Sequence, residues 1–301
     1  MVQAGSVITI EARAKINLTL EILGKRPDGY HELRSIVMPV SLTDTLALTT
    51  TYAQTAMTIT VSPGVDLTKI GSVDKNLAVR AARLMQERYG VNAGARIHIH
   101  KRIPIGGGLG GGSADAAGVI LGLSKLWGLD RPREELMALG AELGSDVPAL
   151  VHGGAVLMEG RGERVRGLFG DASPAACEGF WLVIANPGLM CSTPDVFRKW
   201  RGCLTASPSL LHNMTSSIRT SDVSAAAEAL HNGLQPAVYE EYPGVAQTAA
   251  QLQDAGCLGV LLSGSGASVF GLVRDEAHGQ EICRKLGSGL WHVLAQTCPV
   301  V

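Results

Sequence analysis

The densest chemical signal in the chain is Pro104-Ile105-Gly106-Gly107-Gly108-Leu109-Gly110-Gly111-Gly112-Ser113, with six glycines in seven residues. Backbone without Cβ atoms can take positive φ, so several N–H groups can converge on one anion. The alternating stretch Arg96 to His100 ahead of the loop reads as a strand, and the segment from about Ser113 to Trp127 reads as a helix. A helix N-terminus adds unpaired N–H groups and a positive dipole end, and Ser113 can act there as N-cap, phosphate ligand, or both. The chemistry indicated is phosphate binding. It is not a P-loop, because no Lys follows the glycines. Gly106, Gly108 and Gly111 also match G-x-G-x-x-G, but a glycine run matches almost anything. The acidic residue of a dinucleotide fold is missing as well: Asp130 directly precedes a second predicted helix, about 133–143, and reads as its N-cap.

Six further side chains draw notice from their types alone. Asp146, in Gly144-Ser145-Asp146-Val147-Pro148, is an acid in apolar surroundings, which on its own suits a helix cap or turn. Lys15, between Ala14 and Ile16, suits the polar face of a strand. Tyr30 and His31 follow the turn Pro27-Asp28-Gly29 and suit a packed ring and a solvated imidazole at a strand start. His98 and His100 share a strand face at a spacing that could bind metal. With Arg96 and Lys101 alongside, a solvated sheet face is the better reading.

Three motifs occur in order: Ala14-Lys15-Ile16-Asn17-Leu18, the glycine loop through Ala117, and Leu262-Ser263-Gly264-Ser265-Gly266-Ala267. The set resembles the GHMP kinase superfamily over essentially the whole chain. Pro27-Asp28-Gly29-Tyr30-His31-Glu32-Leu33, the triple-glycine form of the loop and Gly144 to Pro148 point to one branch of it. The resemblance implies an α+β, two-lobed kinase. Its N-terminal lobe (1–165, ATP-binding) would be similar to domain 2 of ribosomal protein S5, and its C-terminal lobe (166–301) would be ferredoxin-like, with the acceptor between them. It further implies two small-molecule substrates, ATP with Mg2+ and a cytidine diphosphate-linked methylerythritol phosphorylated on its 2-hydroxyl for isoprenoid precursor synthesis. In that reading Asp146 accepts the hydroxyl proton and Lys15 stabilises the transferring group, the roles phosphoryl transfer demands. ATP would lie on Pro104, Ile105, Gly106, Gly107, Gly108, Leu109, Gly110, Gly111, Gly112 and Ser113, with Asn76, Leu77 and Lys101 at the adenosine. Tyr30 would stack on the cytosine, His31 would bond its edge and Phe197 would close the sandwich. Asn17, Gly264, Ser265 and Gly266 would complete the substrate site. One position departs from the family resembled: Asp115 stands where a neutral polar residue, often Asn, is usual. Beside nucleotide phosphates an aspartate would be repulsive, so it is expected to face the nucleoside or solvent.

The elements that must position these groups follow from periodicity and punctuation. Val7 to Leu23, Tyr30 to Val40 and Leu46 to Val61 read as extended. Asn76 to Tyr89 reads as a helix stopped by Gly90. Gly153 to Gly170 reads as a hairpin; Phe180 to Ala185, Gly259 to Leu262 and Val269 to Val273 read as strands. The Ser/Thr-rich patch at 205–222 reads as helix ends and loops.

Bulk composition sets the outer limits. The 301 residues are 46% hydrophobic and 18% charged, with 26 basic against 27 acidic side chains and a net charge of −1. That excludes a disordered chain and argues against a nucleic-acid binder, which would be basic. The 37 glycines are about 12% of the chain against a usual 7%. Six scattered cysteines without CxxC spacing read as reduced thiols. With no basic leader and no spanning helix, a cytoplasmic monomer or weak homodimer without membrane or nucleic-acid partner is expected.

Overall fold

The computed structural model describes residues 6–52, 54–169, 178–201 and 207–299. Along them run β1 (Val7–Lys25), β2 (His31–Thr51), β3 (Ala56–Val61), α1 (Leu77–Tyr89), β4 (Gly94–Lys101), α2 (Gly111–Leu126), α3 (Arg133–Ala141) and α4 (Val147–His152). Then come β5 (Val156–Gly160), β6 (Arg164–Gly167), β7 (Trp181–Asn186), α5 (Thr193–Lys199), α6 (Pro208–Thr220), α7 (Val223–Glu228), β8 (His231–Asn232) and α8 (Gln235–Glu241). The last are α9 (Pro243–Ala255), β9 (Gly259–Leu262), β10 (Val269–Leu272), α10 (Glu276–Leu286) and β11 (Trp291–Gln296). The mixture is the α+β class expected. The chain forms two compact units. The first holds the stretch up to Ala14, Thr43–Ile105 and Gly110–His152; the second holds Lys15–Leu42, Gly106–Leu109 and the chain from Gly153 onward.

In the first unit β4 pairs antiparallel with Thr45–Thr51 of β2 and parallel with β3. Alternate residues Leu46, Leu48, Ile97 and Ile99 are fully buried, together with Val119, Ile120 and Leu123 of α2. Sheet alternation and helical spacing thus meet in one core. A Cβ on Gly122 would lie 2.4 Å from Leu48 Cδ1 and 3.2 Å from Ile10 Cγ1, so glycine lets α2 seat closely on the strands. α1 begins where the Asn76 side chain accepts from the Ala78 N–H and ends at Gly90 in the left-handed conformation, φ 62°.

The second unit carries a four-stranded antiparallel sheet in the order β11-β7-β10-β9. Numbered within the sheet this is 4-1-3-2, with α9 and α10 packed on it, which is the ferredoxin-like arrangement. Its core includes Val183, Ala185, Leu252, Leu262, Val269 and Ile282. The N-terminal part of β2, Leu33–Val37, pairs with β5, β5 pairs with β6, and Thr19 and Leu20 of β1 pair with β8.

Several expectations are corrected. The two stretches expected at Tyr30 to Val40 and from Leu46 onward are one continuous strand, β2, beginning at His31, because Asp44 in the supposed gap is wholly buried and partnered. The strand then ends at Thr51, and β3 is separate. The Ser/Thr patch is mainly α6: Thr215, Ser217 and Thr220 return their hydroxyls to carbonyls four residues back, which lets a helix tolerate them. Asp130 does not cap α3; it has φ 43°, and Pro132 holds the cap position. α2 starts at Gly111, so its N-cap is Gly110 at φ 70° and not Ser113. His98 and His100 are half-buried against Thr58, Thr60 and Ser62 of the neighbouring β3 segment. Among the described residues no group of three or more His, Cys, Asp or Glu is placed to hold a metal. Cys191, Cys257, Cys283 and Cys298 form no disulfide among the described residues; Cys177 and Cys203 lie outside them. No helix among the described residues is long and apolar enough to cross a membrane.

Candidate active site

Each unit gathers its own part of the residues singled out from the sequence. In the first unit Pro104 and Ile105 lead out of β4, and the chain re-enters at Gly110 to begin α2. The first helical hydrogen bond of α2 runs from the Ala114 N–H to the Gly110 carbonyl. The N–H groups of Gly111, Gly112 and Ser113 therefore have no helical carbonyl behind them, which makes the helix start an anion-binding end. Leu77 lies beside it: a Cβ on Gly112 would sit 3.8 Å from Leu77 Cδ1. Lys101 Nζ would be 3.4 Å from a Cβ on Gly111. Asn76, Leu77, Lys101 and the helix start are thus brought together.

Lys101 is tied up in a way its sequence position does not suggest. The residue is 5% exposed, and its ammonium bonds both Asp44 and Asp115, the latter at 2.7 Å. Asp115, which the sequence places toward nucleoside or solvent, is 2% exposed and faces this pair instead. Burial pushes the Asp115 carboxyl up against the pull of Lys101, with Asp44 adding to the rise, to about 7. Asp146 belongs to the same unit, half-buried directly before α4, and its carbonyl accepts from the Leu150 N–H. Gly144, through its carbonyl to the Val147 N–H, makes the preceding turn.

In the second unit the segment Gly106–Leu109 is fastened at several points. The Leu109 carbonyl accepts from the Lys15 N–H at 2.9 Å, the Gly107 carbonyl from the Ser268 N–H at 2.9 Å, and the Gly108 carbonyl from Ser263 Oγ at 3.1 Å. Approach is so close that a Cβ on Gly108, whose φ is 77°, would lie 2.3 Å from the Ser263 carbonyl oxygen. The turn 263–267 is held in its own right by Asn232 Nδ2, which donates to the carbonyls of Leu262 and Gly264, and by Ser265 Oγ with Thr193 Oγ1 at 2.7 Å.

Lys15 sits beside these turns. It is 4% exposed, far from a solvated strand lysine, and its Nζ donates to Asn17 Oδ1 at 2.8 Å. Asn17 Nδ2 donates to Ser35 Oγ, which donates on to the Thr19 carbonyl. That chain fixes the Asn17 amide so that its oxygen faces Lys15. A Cβ on Gly264 would lie 3.3 Å from Lys15 Nζ and 3.4 Å from Asn17 Oδ1. Lys15, Asn17, Gly108 and Gly264 therefore share one place.

This unit also holds an aromatic cluster. His31 stacks on Phe197, ring centroids 5.2 Å apart and 24° between planes, and meets Trp200 edge-on at 5.6 Å. Tyr30 is 57% exposed, with the Arg161 guanidinium 5.0 Å over its ring. Burial, with the Lys25 charge nearby, pushes the His31 imidazole below its ordinary value. A neutral imidazole offers one donor and one acceptor. Sequence reasoning missed Asp44, Ser35, Asn232, Thr193 and Trp200, since nothing in their local pattern marks them; their roles come from partners far along the chain.

A fold of this class, with a glycine loop opening a helix and a buried lysine at a second glycine turn, matches a known family at both ends. Residues 76–154 match the GHMP kinases N terminal domain and residues 214–290 the GHMP kinases C terminal domain. The chain belongs to the GHMP kinases and is a small-molecule kinase using ATP. It is 39% identical to a 4-diphosphocytidyl-2-C-methyl-D-erythritol kinase of Pelotomaculum thermopropionicum, over 93% of each chain. A relative of the same name from Gloeobacter violaceus is 40% identical over 93% of this chain and 90% of that one. Among solved structures, a 4-(cytidine 5'-diphospho)-2C-methyl-D-erythritol kinase superposes with a TM-score of 0.76 at 30% identity, covering 96% of this chain and 99% of the other.

Proposed function

We propose that the chain transfers the γ-phosphoryl group of ATP to the 2-hydroxyl of 4-diphosphocytidyl-2-C-methyl-D-erythritol. The observation that carries the reading is the 39–40% identity, across about nine-tenths of the chain, to relatives named for that kinase. The domain division we propose, 1–165 for ATP binding and 166–301 for the C-terminal domain, is supported by the two family matches falling on either side of it.

The glycine loop from Pro104 to Ser113 is assigned to the ATP phosphates. Open N–H groups at the start of α2 and the positive φ of Gly106, Gly108 and Gly110 support this. Asn76 and Leu77 are assigned to the adenosine. Magnesium is assigned as part of the ATP complex, held by substrate phosphates in the way that ion commonly is. Asp146 accepts the proton of the attacking hydroxyl. Lys15, aimed by Asn17, donates to the reacting oxygens and offsets the charge that spreads over them. Tyr30, His31 and Phe197 take the cytosine, a flat ring with polar edges that suits stacking plus an imidazole partner. Asn17, Gly264, Ser265 and Gly266 border the rest of the acceptor.

Coupled measurement of ADP formation tests the assignment, with the cytidylylated alcohol set against mevalonate, homoserine and galactose. Turnover confined to the cytidylylated substrate is expected. Preferential turnover of any control would make the chain a GHMP kinase of different specificity.

A further inference from the structure

A run of glycines has no side chains with which to hold itself, so its conformation is set by what its backbone meets and by its flanks. On one flank, Asp44 Oδ1 accepts from the backbone N–H groups of Arg102, at 2.6 Å, and Ile103, at 2.9 Å, immediately before Pro104. On the other flank, Asp115 lies in the opening turns of α2. Between them stands Lys101, whose ammonium bonds Asp44 Oδ2 and, at 2.7 Å, Asp115 Oδ2. All three residues are at most 5% exposed. Three buried charges are expensive to desolvate, and apolar residues of like volume often do as well for stability. Their geometry instead fixes how far the end of β4 stands from the start of α2.

We propose that Asp115, acting through Lys101 and Asp44, is a positioning residue that pre-forms the anion-binding start of α2 for ATP. The proposal rests on reading the glycine loop as the ATP phosphate cradle. Lys101 serves it by bridging two carboxylates, and its ammonium is not spent on the nucleotide. Preorganisation of this kind acts on nucleotide affinity and leaves the acceptor's own contacts alone.

The test is steady-state kinetics for both substrates with four variants, each checked for a cooperative thermal transition. Asp115→Ala cuts the link, and the KM for ATP is expected to rise about 10-fold while the acceptor KM stays within about 2-fold. Asp115→Leu cuts it without leaving a cavity and is expected to do the same, so the test survives if the alanine variant does not fold. Asp115→Asn keeps an oxygen for Lys101 and is expected to restore the ATP KM to within about 2-fold of the starting protein. Gly112→Asp probes the cradle itself. A side chain there meets only Leu77 Cδ1 at 3.8 Å, and an acid in the first turn suits the helix but repels phosphate. If Gly112→Asp raises the ATP KM while Asp115→Ala and Asp115→Leu do not, the positioning role is overturned and the cradle stands. An equal rise in both KM values, or no rescue by Asp115→Asn, also overturns it. An unchanged ATP KM in Gly112→Asp removes the cradle, and the positioning role goes with it.

Discussion

Asp146 carries the sharpest expectation at the scale of single residues. Replacement by Asn keeps size and backbone turn but removes the proton acceptor. We expect kcat to fall by about 10²- to 10⁴-fold with the thermal midpoint nearly unchanged. A variant with ordinary turnover would take Asp146 out of the mechanism. At Tyr30, loss of the ring in Tyr30→Ala should raise the KM for the cytidylylated acceptor by about 10-fold, since stacking on a base is worth about 1–3 kcal/mol. The ATP KM should stay put, and a rise no greater than that of a distant surface change would remove the stacking role. Asp115 leads to a pH dependence of stability. Its carboxyl is held near 7 in the folded chain against 3.8 as its ordinary value, so the native state binds more protons between those limits. Its contribution to stability therefore falls as pH rises from about 4 to about 7. Thermal melts of the parent and Asp115→Asn should diverge, the parent losing ground to the variant between pH 5 and pH 7. Parallel curves would contradict the buried, raised carboxyl. Asp115 is also where the sequence misled: its partners, Lys101 on β4 and Asp44 on β2, are 14 and 71 residues away, and no local pattern announces them.

Elements were legible where local chemistry decides them. Asn76 and Gly90 bracket α1 because a cap and a left-handed stop act within one turn. The strand, glycine loop and helix order of β4 and α2 was legible for the same reason. β2 was not, because Ser41 to Thr45 looks like a polar interruption. A tertiary partner keeps it extended: buried Asp44 takes Lys101 and two backbone N–H groups. α6 was missed because serine and threonine weaken a helix only until their hydroxyls find carbonyls one turn back. α2 yields a prediction of its own. Gly122→Ala improves helix propensity by about 1 kcal/mol, yet places a methyl against Leu48 and Ile10 in a filled core. Overpacking costs about 1–3 kcal/mol, so packing should win and the thermal midpoint should drop. A rise in the midpoint would show that α2 seats more loosely than the close approach at Gly122 indicates.

For the molecule as a whole, the three motifs in order were enough to reach the family, while the groups that support them were not in view. Lys15 and the glycine turns are visible as residues; the Asn17, Ser35 and Thr19 chain that orients the lysine emerges only once β1 and β2 are placed. The aromatic cluster is similar, since Phe197 and Trp200 meet His31 from about 170 residues away. What unites these pieces is one reaction, the phosphorylation of a cytidine diphosphate-linked alcohol by ATP. The most direct test is ³¹P NMR of the purified protein with MgATP and 4-diphosphocytidyl-2-C-methyl-D-erythritol. A new phosphomonoester resonance should grow in step with ADP while the cytidine diphosphate signals persist. ADP appearing with inorganic phosphate alone, or no loss of the ATP γ-phosphate signal, would contradict the account.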